Sequence, residues 1–168
     1  MSMRRRFAAF AVLAAVSLLA DSPNAMAAVT STPVFLQAAK LGVVQFLQGT
    51  DVAGTYKTLY TAGSNGSRCS AIVATSSDGS AAHLLTLQIV RSTIKYGGTA
   101  VNVAVSSGFA AGSPPVNLMS STNWAGLPVD SNGNPFLHLQ SGDTLQATFA
   151  TALTSSTVIN VIAVCGDY

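Results

Sequence analysis

Thr99-Ala100-Val101-Asn102-Val103-Ala104-Val105-Ser106 alternates valine with small or polar residues along its whole length. Side chains of an extended chain point to opposite faces with a period of two, so the three valines share one face. Asn102, Ala104 and Ser106 take the other. The stretch reads as a half-buried strand, and related patterns recur on both sides of it. Upstream, His83 to Lys95 reads as one long strand with Leu85, Leu87 and Ile89 on one side of the pleat. Downstream, Leu137 and Leu139 alternate with His138 and Gln140, and Leu145, Ala147 and Phe149 alternate with Thr144, Gln146 and Thr148. Ser156 to Cys165 is apolar at nearly every position from Val158, which predicts a central strand covered on both faces.

The earlier part of the chain continues the pattern. Leu41 to Leu47, Tyr56 to Thr61 and Arg68 to Thr75 are rich in β-formers, and Gly-, Asn-, Asp- and Ser-rich turns separate them. Gly108 to Pro135 carries four prolines and the single Trp124, and reads as a long loop. About eight strands with turns between them predict an all-β fold, a two-sheet antiparallel sandwich that is jelly-roll-like. The domain would span residues 41–168, preceded by an arm over 28–40 and an apolar leader over 1–27.

Composition agrees with this class. Charged residues make up only 8% of the chain, all six acids are Asp, and Glu is absent. Long exposed helices draw heavily on Glu and Lys, so a surface of Ser, Thr, Asn, Gln and Gly fits strands better. Beyond residue 27, Lys40, Lys57, Arg68, Arg91 and Lys95 balance Asp51, Asp78, Asp130, Asp143 and Asp167. No basic stripe remains to hold a phosphate backbone, so no nucleic-acid partner is expected.

Residues 1–27 begin with Arg4-Arg5-Arg6, continue in an apolar run from Phe7 to Ala20 and end in Ala25-Met26-Ala27. That is the plan of a secretory signal, and the run is shorter than the ~20 residues of a stable membrane span. A retained N-terminal helix and a true start at Met26 are the alternatives.

Motifs for chemistry are sparse. His83 and His138 lack metal-ligand spacing and read as polar residues on a sheet face. Ser92-Thr93-Ile94-Lys95 matches Ser-x-x-Lys but falls in the strand reading, whereas that nucleophile motif needs a helix start. Asp130-Ser131-Asn132-Gly133 reads as a turn, since a calcium loop would need a distal Glu. No catalytic, cofactor-binding or metal-binding residues are expected, and the protein is expected not to be an enzyme. Cys69 and Cys165, the only thiols, would form a disulfide in an oxidising compartment and remain two small buried hydrophobes in a reducing one.

Several stretches resemble a family of small tailed-phage and prophage virion proteins. They are Thr32-Pro33-Val34-Phe35, Gly42-Val43-Val44-Gln45-Phe46, Lys57 to Ser67, Gly126 to Pro135 and the closing Gly166-Asp167-Tyr168. The resemblance covers about residues 30–168 and implies a capsid decoration (cement) protein. Its implied partners are the major capsid protein and copies of itself, as a homo-oligomer, often a trimer, on the phage head. Pro33 and Phe35 in the arm, and Trp124 and Leu127 in the loop, are the expected partner contacts; for Trp124, plugging one end of the sandwich is the alternative. The leader departs from the family, whose members would start near Met26. An exported periplasmic or cell-surface binding module is the competing expectation.

Overall fold

The structure, a computed structural model, describes residues 38–168. The leader, residues 28–37 of the expected arm, and Pro33 and Phe35 with them lie outside the described residues.

The chain forms β1 (Ala38–Leu47), β2 (Lys57–Thr61), β3 (Ser67–Ser76), β4 (His83–Arg91), β5 (Ile94–Val103), β6 (Val116–Asn117), β7 (Leu137–Leu139), β8 (Thr144–Phe149) and β9 (Val158–Asp167). One sheet runs β1-β9-β3-β6, with β7 also on β3; the other runs β2-β8-β4-β5. All pairings are antiparallel. The first four strands alternate between the sheets, then β8 returns between β2 and β4 and β9 between β1 and β3. This is jelly-roll winding, as the strand pattern predicts. The count differs by one because β6 forms inside the stretch expected to be a loop; it pairs with Val73 and Ala74 on the same edge of β3 that β7 occupies at Ser67 to Cys69.

Other expectations need correction. The strand expected over Thr99 to Ser106 ends at Val103, and Val105 lies beyond it and is exposed. The strand expected over His83 to Lys95 is a hairpin, with Arg91 paired to Ile94 across Ser92-Thr93. Ser92 adopts a positive φ of 55°, a conformation that two-residue hairpin loops require and that glycine or asparagine usually supplies. Serine gives no such signal. The arm's last residues, Ala38 to Lys40, already belong to β1 and pair with Asp167, Gly166 and Cys165. Finally, β9 is central in its sheet but covered on one face only. Ile159, Val161, Ala163 and Cys165 are buried, whereas Val158 and Ile162 are half-buried and Val164 is exposed.

The core lies between the sheets. Phe46 of one sheet and Phe149 of the other meet at 5.0 Å between ring centroids, tilted by 59°. Leu85, Leu87, Val101, Val103, Leu145 and Ala147 face Ile72, Ala74, Ile159 and Val161 around them. A register shift between Cys69 and Ala71 changes which residues of β3 face inward, from Ser67 and Cys69 to Ile72, Ala74 and Ser76. β1 crosses close to β2 at Gly42, where an added Cβ would lie 2.3 Å from the Leu59 carbonyl oxygen. Backbone cannot yield as a side-chain tip can. Gly42→Ala is therefore expected to cost ~1–3 kcal/mol through overpacking, read as a lowered midpoint in thermal unfolding.

Candidate functional site

Cys69 and Cys165 stand opposite each other on β3 and β9, and a disulfide joins them across 96 residues of sequence. Both are buried.

The long loop packs on its own domain. Leu118 and Met119, which follow β6, are fully buried, and the Leu118 amide donates to the Ile72 carbonyl. Trp124 is only 9% exposed. Its ring lies 3.0 Å from the position a Cβ would take at Gly98, in an irregular stretch of β5 opposite Leu87. The Thr99 hydroxyl donates to the Asn123 carbonyl and anchors the segment. Trp124 is thus packed against its own domain, beside β5. Leu127 packs half-buried against the same core. Burial of Leu118, Met119 and Trp124, with Leu127 half-buried beside them, holds this part of the loop against the domain.

His83 is not on an open sheet face. It is fully buried, its Nε2 lies 2.8 Å from Asp78 Oδ2, and its Nδ1 lies 3.2 Å from Thr151 Oγ1. Asp78, also fully buried, accepts from the amides of Ser80, Ala81 and Thr154. Burial alone pushes this carboxyl up. The hydrogen bonds from His83, Thr154, Ser80 and Ala81 outweigh that and hold it well below the usual carboxylate range. Hydroxyl, imidazole and carboxylate stand in the order of a nucleophilic triad. Yet the carboxylate also ties the 78–81 turn to the 151–154 loop, and the imidazole has no face open to a substrate. The arrangement works as a clamp between loops. His83 and Asp78 are five residues apart, a spacing that names no motif.

A second polar cluster gathers at the opposite end of β9. The Asp167 carboxylate accepts from the Tyr60 hydroxyl (2.5 Å), the Ser67 hydroxyl (2.5 Å), the Gly63 amide (3.3 Å) and the Lys40 ammonium. The Lys40 ammonium, then Ser67 and Tyr60, hold Asp167 well below the usual carboxylate range. Burial, then the hydrogen bond to Asp167, pushes the Tyr60 phenol up. Nearby, the Tyr168 backbone amide donates to the Gly66 carbonyl and the Asn65 side-chain Nδ2 to the Tyr168 carbonyl. Arg68 stacks on Phe136 at 4.1 Å and lies 3.7 Å from Asp130. His138 sits exposed on β7, 3.0 Å from the Tyr168 hydroxyl, on the sheet face where the sequence puts it.

Asp130 caps its own turn, accepting from the amides of Asn132 and Asn134. A hollow of about 370 Å³ opens beside it, between β3 and the 130–135 turn, lined by residues including Arg68, Ala71, Val73, Met119 and Pro135. Among the described residues no three His, Cys, Asp or Glu side chains converge as a metal site. Among them, too, no helix is long and apolar enough to cross a membrane.

The outer face of the β1-β9-β3 sheet carries exposed apolar side chains. Leu41, Val43 and Leu47 of β1 and Val164 of β9 are all exposed there. The sequence reading missed it because it assigned the apolar excess of β9 to a covered position.

No family model matches the chain, and no curated protein matches it. Among solved structures it is similar to a chain of the "Cyanophage Pam1 capsid asymmetric unit", with 16% identity, a TM-score of 0.41, and coverage of 85% of this chain and 100% of that one.

Proposed function

We propose that this protein is a virion structural subunit without enzymatic activity. It decorates a phage head, binding the major capsid protein and neighbouring copies of itself to stabilise the lattice. Support comes from where the resemblance-bearing stretches meet. Lys57 to Ser67, Gly126 to Pro135 and Gly166-Asp167-Tyr168 are far apart in sequence. They are tied together at one pole of the sandwich through Asp167, Tyr168 and the Arg68–Asp130 pair. Gly42, from a fourth stretch, lies against Leu59 and Tyr60 of the same unit.

A cement subunit acts by spreading interface over its neighbours, which calls for a stiff scaffold and exposed surface. The cross-linked sandwich and its bare outer sheet face meet both needs. Mass spectrometry of purified particles from the producing host is expected to find this chain at a copy number comparable with the head lattice. Particles lacking it would end the proposal.

The disulfide favours a second reading, an exported β-sandwich binding module, because such bonds persist in oxidising compartments. The same mass spectra separate the two readings. An N-terminus at Ala28 in periplasmic or secreted material, with oxidised cysteines, assigns export. Particle-bound chain assigns the virion.

A further inference from the structure

We infer that the free edge of β1 pairs with itself: it adds β1 of a second copy in antiparallel register and joins the two outer sheets into one. The far end of β1 fixes the direction of its backbone groups. The Gln48 amide donates to the Thr157 carbonyl, continuing the ladder to β9. The Leu47 amide instead donates to the Asp51 carboxylate, and the Leu47 carbonyl accepts from the Thr50 and Asp51 amides. The Gln45 carbonyl accepts from the Lys57 ammonium at 2.9 Å. Odd-numbered residues of β1 therefore turn their backbone groups away from β9 and even-numbered ones toward it, as an antiparallel ladder without a bulge requires. Among the described residues, the backbone groups of Leu41 and Val43 on that outward edge have no partner.

Natural sheet edges are guarded by proline, by bulges or by outward lysines. β1 has neither proline nor bulge, and its one lysine, Lys40, is drawn to Asp167. Lys57, the other cation beside the edge, is held by Asp51 at 2.6 Å. The open stretch is short, uncharged and unguarded.

What fits it is the same stretch of another copy. An isologous contact sets residue i against residue j and j against i about a two-fold axis. With the axis at Gly42, Leu41 of each copy meets Val43 of the other, and each such pair exchanges both of its N–H···O bonds. The side chains match as well. Leu41, 68% exposed, heads the outer row Leu41–Val164–Ala71, and Val43, 60% exposed, heads Val43–Ile162–Val73. This axis runs each row into the other row of the second copy, so apolar meets apolar with no charge on the seam. An axis at Leu41 would set Val43 against Ala39, whose row continues through Gly166 to Arg68 and His138. One strand edge offers far less than the ~800 Å² that each partner buries in a stable complex, so the pair is a weak one. Pairing by the edge leaves the outer face bare and doubles it.

Sedimentation and amide exchange of the full-length protein test this, over a hundredfold range of concentration reaching about 1 mM. The chain is expected to pass from monomer to dimer over that range, with the Leu41 and Val43 amides gaining protection as it does. The Gly42 and Val44 amides, which face β9, should be protected throughout. Val43→Pro removes an N–H that the chain's own ladder does not use. It is expected to raise the dimer dissociation constant at least tenfold and leave the urea midpoint of the monomer nearly unmoved. If the proline lowers that midpoint, Val43→Lys carries the test, because it puts a charge on the seam at an exposed position and should weaken the dimer as much. A chain monomeric throughout, or dimers untouched by Val43→Lys, would overturn the inference. So would Leu41 and Val43 amides protected equally at every concentration, which would mean an edge already filled. No particle enters the experiment, so its failure leaves the virion reading standing.

Discussion

Replacing both Cys69 and Cys165 with alanine is expected to lower unfolding stability by about 4–5 kcal/mol, the largest effect of any change considered. The bond closes a loop of 96 residues, most of the described domain. In the chain-entropy view, opening it frees the unfolded ensemble while the folded sheet changes little. For a domain of this size that is on the order of 15 °C in melting temperature. Urea unfolding of the double variant, compared with the parent with and without reductant, measures it. Because both sulfurs are buried, reductant should act only on molecules that open first, so the native protein should resist mild reduction. Equal midpoints for the variant and the unreduced parent would mean that the bond does not form in the purified protein.

The second large effect belongs to Asp78. Asp78→Ala strips the partner from the His83 ring and from the amides of Ser80, Ala81 and Thr154, all gathered on a carboxylate that is fully buried. Leaving several buried donors without their acceptor costs about 1–3 kcal/mol for each group that stays unsatisfied, so a loss of about 3–5 kcal/mol is expected. The pH dependence carries a sign. The folded carboxyl is held below its unfolded value, so the folded state binds fewer protons there. Its stabilisation is fully present above the ordinary carboxylate range, near pH 4, and is lost as pH falls through the lower folded value. Asp167 acts in the same direction. Unfolding midpoints taken from pH 7 down to pH 2 should therefore fall for the parent, and fall less steeply for Asp78→Asn. Parallel acid limbs for the two proteins would rule out this role for Asp78.

Regular strands were legible in the sequence because alternation is a local signal. The rows Leu85-Leu87, Val101-Val103, Leu137-Leu139 and Leu145-Ala147-Phe149 all face the core as their spacing predicts. Local signals fail where the fold spends an unmarked residue. Ser92 turns a hairpin with a positive φ that no glycine announced, and the register shift at Ser70 moves the inward positions of β3 by one. Long-range partners were beyond reach for another reason. Asp78 and Asp167 looked like ordinary turn and terminal residues, because a donor to Asp78 comes from about 75 residues away and those to Asp167 from about 100 to 125 residues away. Trp124 shows the limit from the other side: a tryptophan in a proline-rich loop carries no mark of whether it is buried or exposed. The place it fills depends on a glycine 26 residues earlier.

The disulfide also decides how the sandwich would bear a pull. Ala38 and Asp167 are opposite one another at the same end of neighbouring strands, so tension applied between them opens β1 from β9 pair by pair. Two residues in from Asp167, the covalent bond diverts the load out of β9 and into β3. The edge strand can peel while the centre of the sheet stays shut, so the fold gives slack before it is lost.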